Sequence, residues 1–395
     1  MKIKNQFLFL IFITNIAICQ TAPPHLKYFG YALVDAHWDD PHDKTTTTNY
    51  ITEVGGFSNI AQLGVFNYTD NIIARTNLMN SNCVKPLLSI QSICYYEVDK
   101  LAPSGHHFKL YPDFKARWDV FKGSNLSILN SSKVAAFYVA DEPVWNGITF
   151  SELDAVCKMI KSDFPNIPIM FVEGYPVLNS LIVPTSVDWV GFDRYEVFDP
   201  TTSSIFLDDL NILKSKLSTS KQRIFLTIDD QWLPFYGLAG FSPDTIRFMV
   251  QNYYNLAASD TLVIGLIGYL WAGGLDDPGQ LGVRDMPQSV IDKNVEIGMM
   301  IKANNSPCGT TGINENIFSE SNFSIFPSPA NEILKISFRD YQKQQIQISN
   351  SIGQVVKEVL IINNEAVNIS DLPNGVYFIR FKNIPSQTQK FIKQN

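Results

Sequence analysis

From residue 28 onward the chain alternates between short apolar runs rich in β-branched and aromatic residues and longer stretches with apolar positions three or four apart. Eight runs have strand character: "YFGYALVDAHW", "GVFNYT", "KPLLSIQSI", "VAAFYVADEP", "IPIMFVEGYP", "DWVGFDRYE", "RIFLTIDDQW" and "LVIGLIGYLWAGG". Helical stretches lie between them. "TFSELDAVCKMIKSDFP" opens on a Thr cap and stops at a proline; "SSIFLDDLNILKSKLS", "SPDTIRFMVQNYYNLAAS" and "PQSVIDKNVEIGMMIKAN" share its period. Eight strand-then-helix units over about 280 residues match a (β/α)8 TIM barrel, an α/β fold, in size and count. A doubly wound open sheet is the competing arrangement, but no glycine-rich phosphate loop follows the first strand.

The pattern changes at both ends. Residues 303–320 are rich in Asn, Ser and Gly, which is linker composition. Residues 321–395 then show short alternating strands with Pro and Gly turns, the pattern of a small all-β sandwich. At the start, two lysines precede an apolar run from Phe7 to Ile18 and then small residues, the layout of a signal peptide. That run is too short to span a bilayer. Ile18 fits poorly before a lipidated cysteine, so cleavage is expected just before Gln20 or Thr21 rather than at Cys19. The expected organisation is a signal peptide at 1–20, a barrel domain at 21–302 with its strands and helices within 28–302, a linker at 303–320 and a β unit at 321–395. No later segment reads as a transmembrane span.

Charge narrows the partners. Residues 21–320 hold 21 Lys/Arg against 33 Asp/Glu, a net of −12, while residues 321–395 hold 8 against 5, a net of +3. An acidic main domain argues against nucleic acid, whose phosphates need cationic surface, and suits a neutral ligand handled by carboxylates. Beyond the signal peptide the cysteines are Cys83, Cys94, Cys157 and Cys308. They form no CxxC pair and no His cluster accompanies them, so neither a metal nor another cofactor is expected. Export permits disulfides, and buried thiols fit equally well; Cys83 and Cys94 flank one predicted strand and lie too far apart to pair.

In a (β/α)8 enzyme the chemistry sits at the C-terminal ends of the strands, and here those ends are polar. The first strand ends in Asp35, His37 and Trp38, and the third carries Gln91. The fourth ends in Asp141 and Glu142 with Trp145 beyond, and the fifth in Glu173 and Tyr175. The sixth ends in Asp193, Arg194, Tyr195 and Glu196, the seventh in Asp229, Asp230 and Trp232, and the eighth in Trp271. Because alternate residues share a face, Glu142 is expected to point into the mouth with Tyr138, and Asp141 to brace the loop. Asp229 follows Thr227 inward, Asp35 goes with His37 and Asp193 with Tyr195. Glu173 shares a face with Phe171. A metal-dependent hydrolase would place several His at strand ends, where only His37 stands, and a serine hydrolase would need a GxSxG elbow, which is absent.

Two resemblances sharpen this reading. The tail stretches "FPSPANEILKI", "ISDLPNGVYFIRF" and "QKFIKQ" resemble, in order, the motifs of the type IX secretion system C-terminal sorting domain of Bacteroidetes. That resemblance implies that residues 321–395 engage the secretion machinery, and that the protein crosses the outer membrane to be released or held at the cell surface. The alternative for such a unit is a carbohydrate-binding sandwich. In the barrel, "ADEP" resembles the Asn-Glu-Pro that closes the fourth strand of clan-A glycoside hydrolases, whose Glu is the acid/base. The resemblance implies Glu142 as acid/base, a carboxylate on the seventh strand as nucleophile and Trp271 as a sugar platform. The sequence departs from that pattern in having Asp141 where Asn is usual and Asp rather than Glu on the seventh strand. Asp229 is therefore the first expectation for the second carboxylate, with Asp230, Glu173 and Asp193 as alternatives. Hydrolysis of a glycosidic bond needs one carboxyl to protonate the leaving oxygen and another to attack or activate water. Asp35, His37, Trp38, Asp141, Trp145, Tyr195, Trp232 and Trp271 are expected to contact a carbohydrate substrate. A barrel that binds glycans without cleaving them is the alternative.

Overall fold

The computed structural model describes residues 21–99, 101–308, 323–327, 329–338, 343–350, 353–362, 365–382 and 384–394. The expected signal peptide and most of the expected linker lie outside the described residues. The chain divides into two compact units, Met1–Thr310 and Thr311–Asn395.

In the first unit eight parallel strands close into a barrel: β1 (Tyr28–Asp35), β2 (Ile60–Gly64), β3 (Lys85–Ser89), β4 (Ala136–Asp141), β5 (Ile169–Gly174), β6 (Trp189–Asp193), β7 (Arg223–Asp229) and β8 (Val263–Tyr269). Their order around the ring is β1-β8-β7-β6-β5-β4-β3-β2, so β4 and β8 stand opposite one another. Helices α1 (Ile73–Ser81), α2 (Phe114–Asn125), α3 (Phe150–Asp163), α4 (Ser204–Lys216), α5 (Ile246–Ser259) and α6 (Gln288–Lys302) cover the outside. The Thr149 cap of α3 is a full capping box with Glu152, in which each residue satisfies a free backbone N–H of the first turn.

Three expectations need correction. The second strand is Ile60–Gly64, not the "GVFNYT" that begins at its last residue; Val65 is buried but Phe66 is exposed, and the chain has already turned. The β1 and β5 units lack a full helix among the described residues, having a single turn at Ile51–Val54 and a 3-10 stretch at Tyr175–Ser180. Residues 303–308 are not linker in character. Asn304 donates to the carbonyls of Ala22, Pro23 and Leu26, and Asn59 bridges the carbonyls of Lys27 and Asn305. The two ends of the barrel are stitched together by amide side chains.

Cys308 completes this closure through a disulfide to Cys83, 225 residues away, while Cys94 and Cys157 are buried free thiols. Cross-linking so long a loop restricts the unfolded chain. Cys83→Ser is therefore expected to lower stability by about 2–5 kcal/mol. A urea midpoint that stays in place under non-reducing conditions would contradict the bridge.

The barrel is plugged below its mouth. Tyr28, Trp189 and Phe225 pack on one another with ring centres 4.9–5.6 Å apart, joined by Ile60, Ala136, Met170 and Ile264. Packing of this kind makes the interior a core rather than a channel and leaves only the upper layer for a ligand.

The second unit is all-β. A three-stranded antiparallel sheet is made by Phe323–Phe326, Ile333–Phe338 and Glu365–Asn368. A four-stranded one orders Val355–Ile361, Gln344–Asn350, Gly375–Phe381 and Ile384–Lys393. Alternate residues of both sheets, among them Leu334, Ile336, Ile346, Ile348, Val367, Ile379 and Phe391, share one buried core. This is the small sandwich that the period-two pattern predicts.

Candidate active site

The mouth of the barrel holds two cavities that meet. An inner one of about 470 Å³ is floored by Leu87, Tyr138, Met170, Val172, Thr227 and Ile267, and an outer one of about 610 Å³ runs past Trp145, Tyr175, Arg194 and Ser203. Glu142, Asp193, Tyr195 and Glu196 line both. The inner volume lies within the usual range for small-ligand pockets.

The end of β4 explains how two consecutive acids reach one cavity. Tyr138 pairs with Met170, but Ala140 pairs with Phe171 and Asp141 with Val172, so a bulge intervenes. A bulge adds a residue to one strand and reverses the faces beyond it. Asp141 consequently turns inward, correcting the expectation that it braces the loop. The Tyr138 hydroxyl donates to its carboxylate, and its own backbone N–H is held by Gln91 at 2.7 Å. The next residue, Glu142, has φ of 45°. This left-handed conformation is uncommon for a non-glycine residue and is often found at functional sites. It brings the Glu142 side chain into the mouth as well.

Residues around the turn hold it there. Glu173 faces away from the cavity and accepts from the backbone N–H groups of Val144 and Trp145 at 2.9 and 3.3 Å. A Cβ at Gly174 would lie 2.7 Å from Glu142 Oε1 and 2.6 Å from the Trp145 ring, so any larger residue would displace these side chains. Glu173 is thus a brace, and burial pushes its carboxyl up to about 8.

Electrostatics set the protonation of the mouth. Glu142 and Asp193 are neighbouring carboxyls that influence one another's protonation, with the Tyr195 hydroxyl beside Asp193. Burial raises the Glu142 carboxyl well above the usual range, and the neighbouring Asp193, Asp141 and Glu173 raise it further. Burial raises Asp193 too. Two adjoining carboxyls in a poorly hydrated site share a proton because both cannot ionise cheaply, and Glu142, with more anionic neighbours, is its main holder. Asp141 keeps one side open to a water-sized molecule although protein surrounds it; burial raises its carboxyl and the Tyr138 bond opposes that.

The seventh strand behaves differently from expectation. Asp229 does not line the cavity. It is fully buried beneath the mouth, accepting from Glu196 N at 2.7 Å, Gln231 Nε2 at 2.9 Å and the Tyr236 hydroxyl at 2.5 Å. Its strand phase is inward, but three donors from the covering loops occupy it. Asp230 points out toward α6, where Asn294 donates to it at 3.2 Å and burial pushes its carboxyl up to about 8. Of the four candidates for second carboxylate, only Asp193 reaches the cavity.

The expected substrate contacts separate in the same way. Trp145 and Tyr195 line the cavities. Asp35 is buried in a two-pronged pair with Arg75, both contacts at 2.8 Å, and the exposed His37 stacks on Phe66. Trp38 donates to Gly273 O, Trp232 to Phe241 O and Trp271 to Glu53 at 2.6 Å, and none of the three lines either cavity. Trp271 is packing, in edge contact with Tyr31 at 5.1 Å. Tyr269 takes the place at the mouth that the sequence reading assigned to Trp271, with its hydroxyl donated to Asp276 at 2.8 Å. Tyr269 was legible from its spacing with Ile267. Asp276, in the loop "GLDDPG" beyond β8, had no periodic signal to mark it. One further cluster, Asp40, His42 and Asp285, brings ligand-type atoms within 4.8 Å of one another. Asp40 there already accepts from Gly273 N and His42 N and lies 3.4 Å from Arg284, which supplies the positive charge.

The tail is identified by its sequence. Residues 324–394 match the family described as the secretion system C-terminal sorting domain, and this segment is a type IX sorting domain. Such a domain implies export across the outer membrane, and no helix among the described residues is long and apolar enough to cross a membrane. No curated protein matches the chain. Similar solved structures include a glucosidase from Croceicoccus marinus, at 12% identity over 89% of this chain and 84% of that one, with a TM-score of 0.47. Xylanase 10B from Thermotoga maritima is similar at 12% identity over 71% and 97%, with a TM-score of 0.44. A GH113 beta-1,4-mannanase is similar at 11% identity over 70% and 99%, with a TM-score of 0.42. These are glycoside hydrolases, but at such identities and scores nothing about activity follows from the likeness.

Proposed function

We propose that the protein is an exported glycoside hydrolase in which Glu142 is the general acid. The observation that carries this reading is the pairing of Glu142 with Asp193 at the junction of the two cavities. A carboxyl kept protonated at neutral pH, in a site that takes a ligand on either side, can donate to a glycosidic oxygen lying across the junction. Asp193 acts through Glu142 as a positioning residue that keeps the proton in place. Asp276 lies in the loop after β8, the strand opposite β4, and lines the inner cavity; it is the carboxylate we assign to the other face of the sugar. The test is hydrolysis of a glycan panel by the exported protein, with Asp276→Asn expected to lose most of the turnover.

The role of Asp193 has its own signature. An acid catalyst works only while protonated, so the alkaline limb of the rate profile follows Glu142. Asp193→Asn removes a negative neighbour and lowers the Glu142 pKa, so that limb is expected to move to lower pH. A purely structural Asp193 would reduce the rate at every pH and leave the limb in place.

A non-catalytic glycan-binding barrel is the second reading. The burial of Asp229 under three donors favours it, because the seventh strand then presents no nucleophile. Binding to a glycan that wild-type protein never cleaves would select this reading.

A further inference from the structure

The inner cavity is unbalanced in charge. Asp141, Glu142, Asp193, Glu196 and Asp276 line it, and among the described residues no Lys, Arg or His does. Arg194 lines the outer cavity, where it lies 3.9 Å over the Tyr175 ring and is paired with Asp209. A concave site carrying one sign of charge focuses its field on whatever enters. Even with one proton shared between Glu142 and Asp193, the remaining acids have no counter-ion within the cavity.

An independent observation concerns a polar group of the wall. Thr227 is 7% exposed and lines the cavity, yet its hydroxyl has no hydrogen-bond partner among the described residues. The hydroxyl itself is not sealed from water, and its open side is the cavity. The walls add aromatic faces, with the Tyr195 and Tyr269 rings 5.5 Å apart. Aromatic faces beside carboxylates are a setting that attracts ammonium groups.

We propose that the inner cavity is a subsite for a sugar unit bearing a protonated amine, with Thr227 contacting that unit and the acidic wall excluding uronic, sulfated or phosphorylated sugars. This deepens the glycoside hydrolase reading by naming the substrate class. A uronate or sulfate would enter against several like charges without a cation to meet it, which is how a site rejects a competitor. An ammonium group instead gains charge-assisted hydrogen bonds to the carboxylates.

The test measures binding to the full exported protein by calorimetry, using glucosamine oligomers, their N-acetylated counterparts and oligogalacturonate of equal length, at a pH where the amine is protonated. The amine oligomer is expected to bind about tenfold tighter than the neutral one, the lower end for hydrogen bonds to a charged group, and the uronate not at all. Thr227→Val is expected to weaken binding of the amine oligomer about 3–10-fold, the effect of one neutral hydrogen bond. Equal affinity for amine and neutral oligomers, uronate binding, or binding untouched by Thr227→Val would each overturn the inference. Hydrolysis is read separately. Amine preference without cleavage supports the subsite and defeats the hydrolase reading, whereas cleavage of neutral glycans without amine preference does the reverse.

Discussion

Glu142→Gln should lower turnover on an oligosaccharide by about 10²–10⁴-fold, the usual worth of general acid catalysis, while leaving substrate affinity nearly unchanged. The amide keeps the shape and can hydrogen-bond to Asp193, so the junction of the two cavities stays intact. What it lacks is a proton for the leaving oxygen. Substrates with very good leaving groups need less protonation, so the defect should shrink on activated aryl glycosides and be full on natural linkages. Initial rates on both substrate types, with affinity measured in parallel, make the check. A variant with wild-type turnover on an unactivated oligosaccharide would remove Glu142 from the mechanism.

Deleting residues 321–395 should abolish delivery to the medium or cell surface and leave folded barrel in the periplasm. The sorting match lies within this segment, and the segment has its own sandwich core. The barrel is closed without it, through Asn59, Asn304 and the Cys83–Cys308 bridge, all N-terminal to the deletion. Fractionation of a host carrying the secretion system, with protease resistance as the test of folding, gives the readout. Equal amounts outside the cell with and without the tail would refute the sorting role. An unfolded barrel would instead show that the first unit depends on the second.

The eight-fold alternation of strand and helix was legible because each element carries its own period, and both the barrel and the tail sandwich followed from it. Local signals also placed the Thr149 cap and the acidic ends of β4, β6 and β7. The second strand was misplaced because "IAQLG" and "GVFNYT" adjoin and both suit a strand; burial of the former against β1 and β3 decides between them. The pairing of Cys83 with Cys308 joins positions 225 residues apart, beyond the reach of any local pattern.

By itself, then, the sequence determined the fold class, the export tail and the position of Glu142 at the end of the fourth strand. These depend on periodicity and short motifs, which act between neighbours in the chain. Only the tertiary structure decided which acids face the cavity. Alternation predicts a face until the strand loses its phase, and one bulge in β4 turned Asp141 inward. Asp229 kept its inward phase, yet Tyr236, Gln231 and the backbone of Glu196 closed over it. Asp276 reached the cavity from a loop on the opposite strand. Covering and meeting of this kind involve residues distant in sequence, and the closed ring of strands is what brings them to one site.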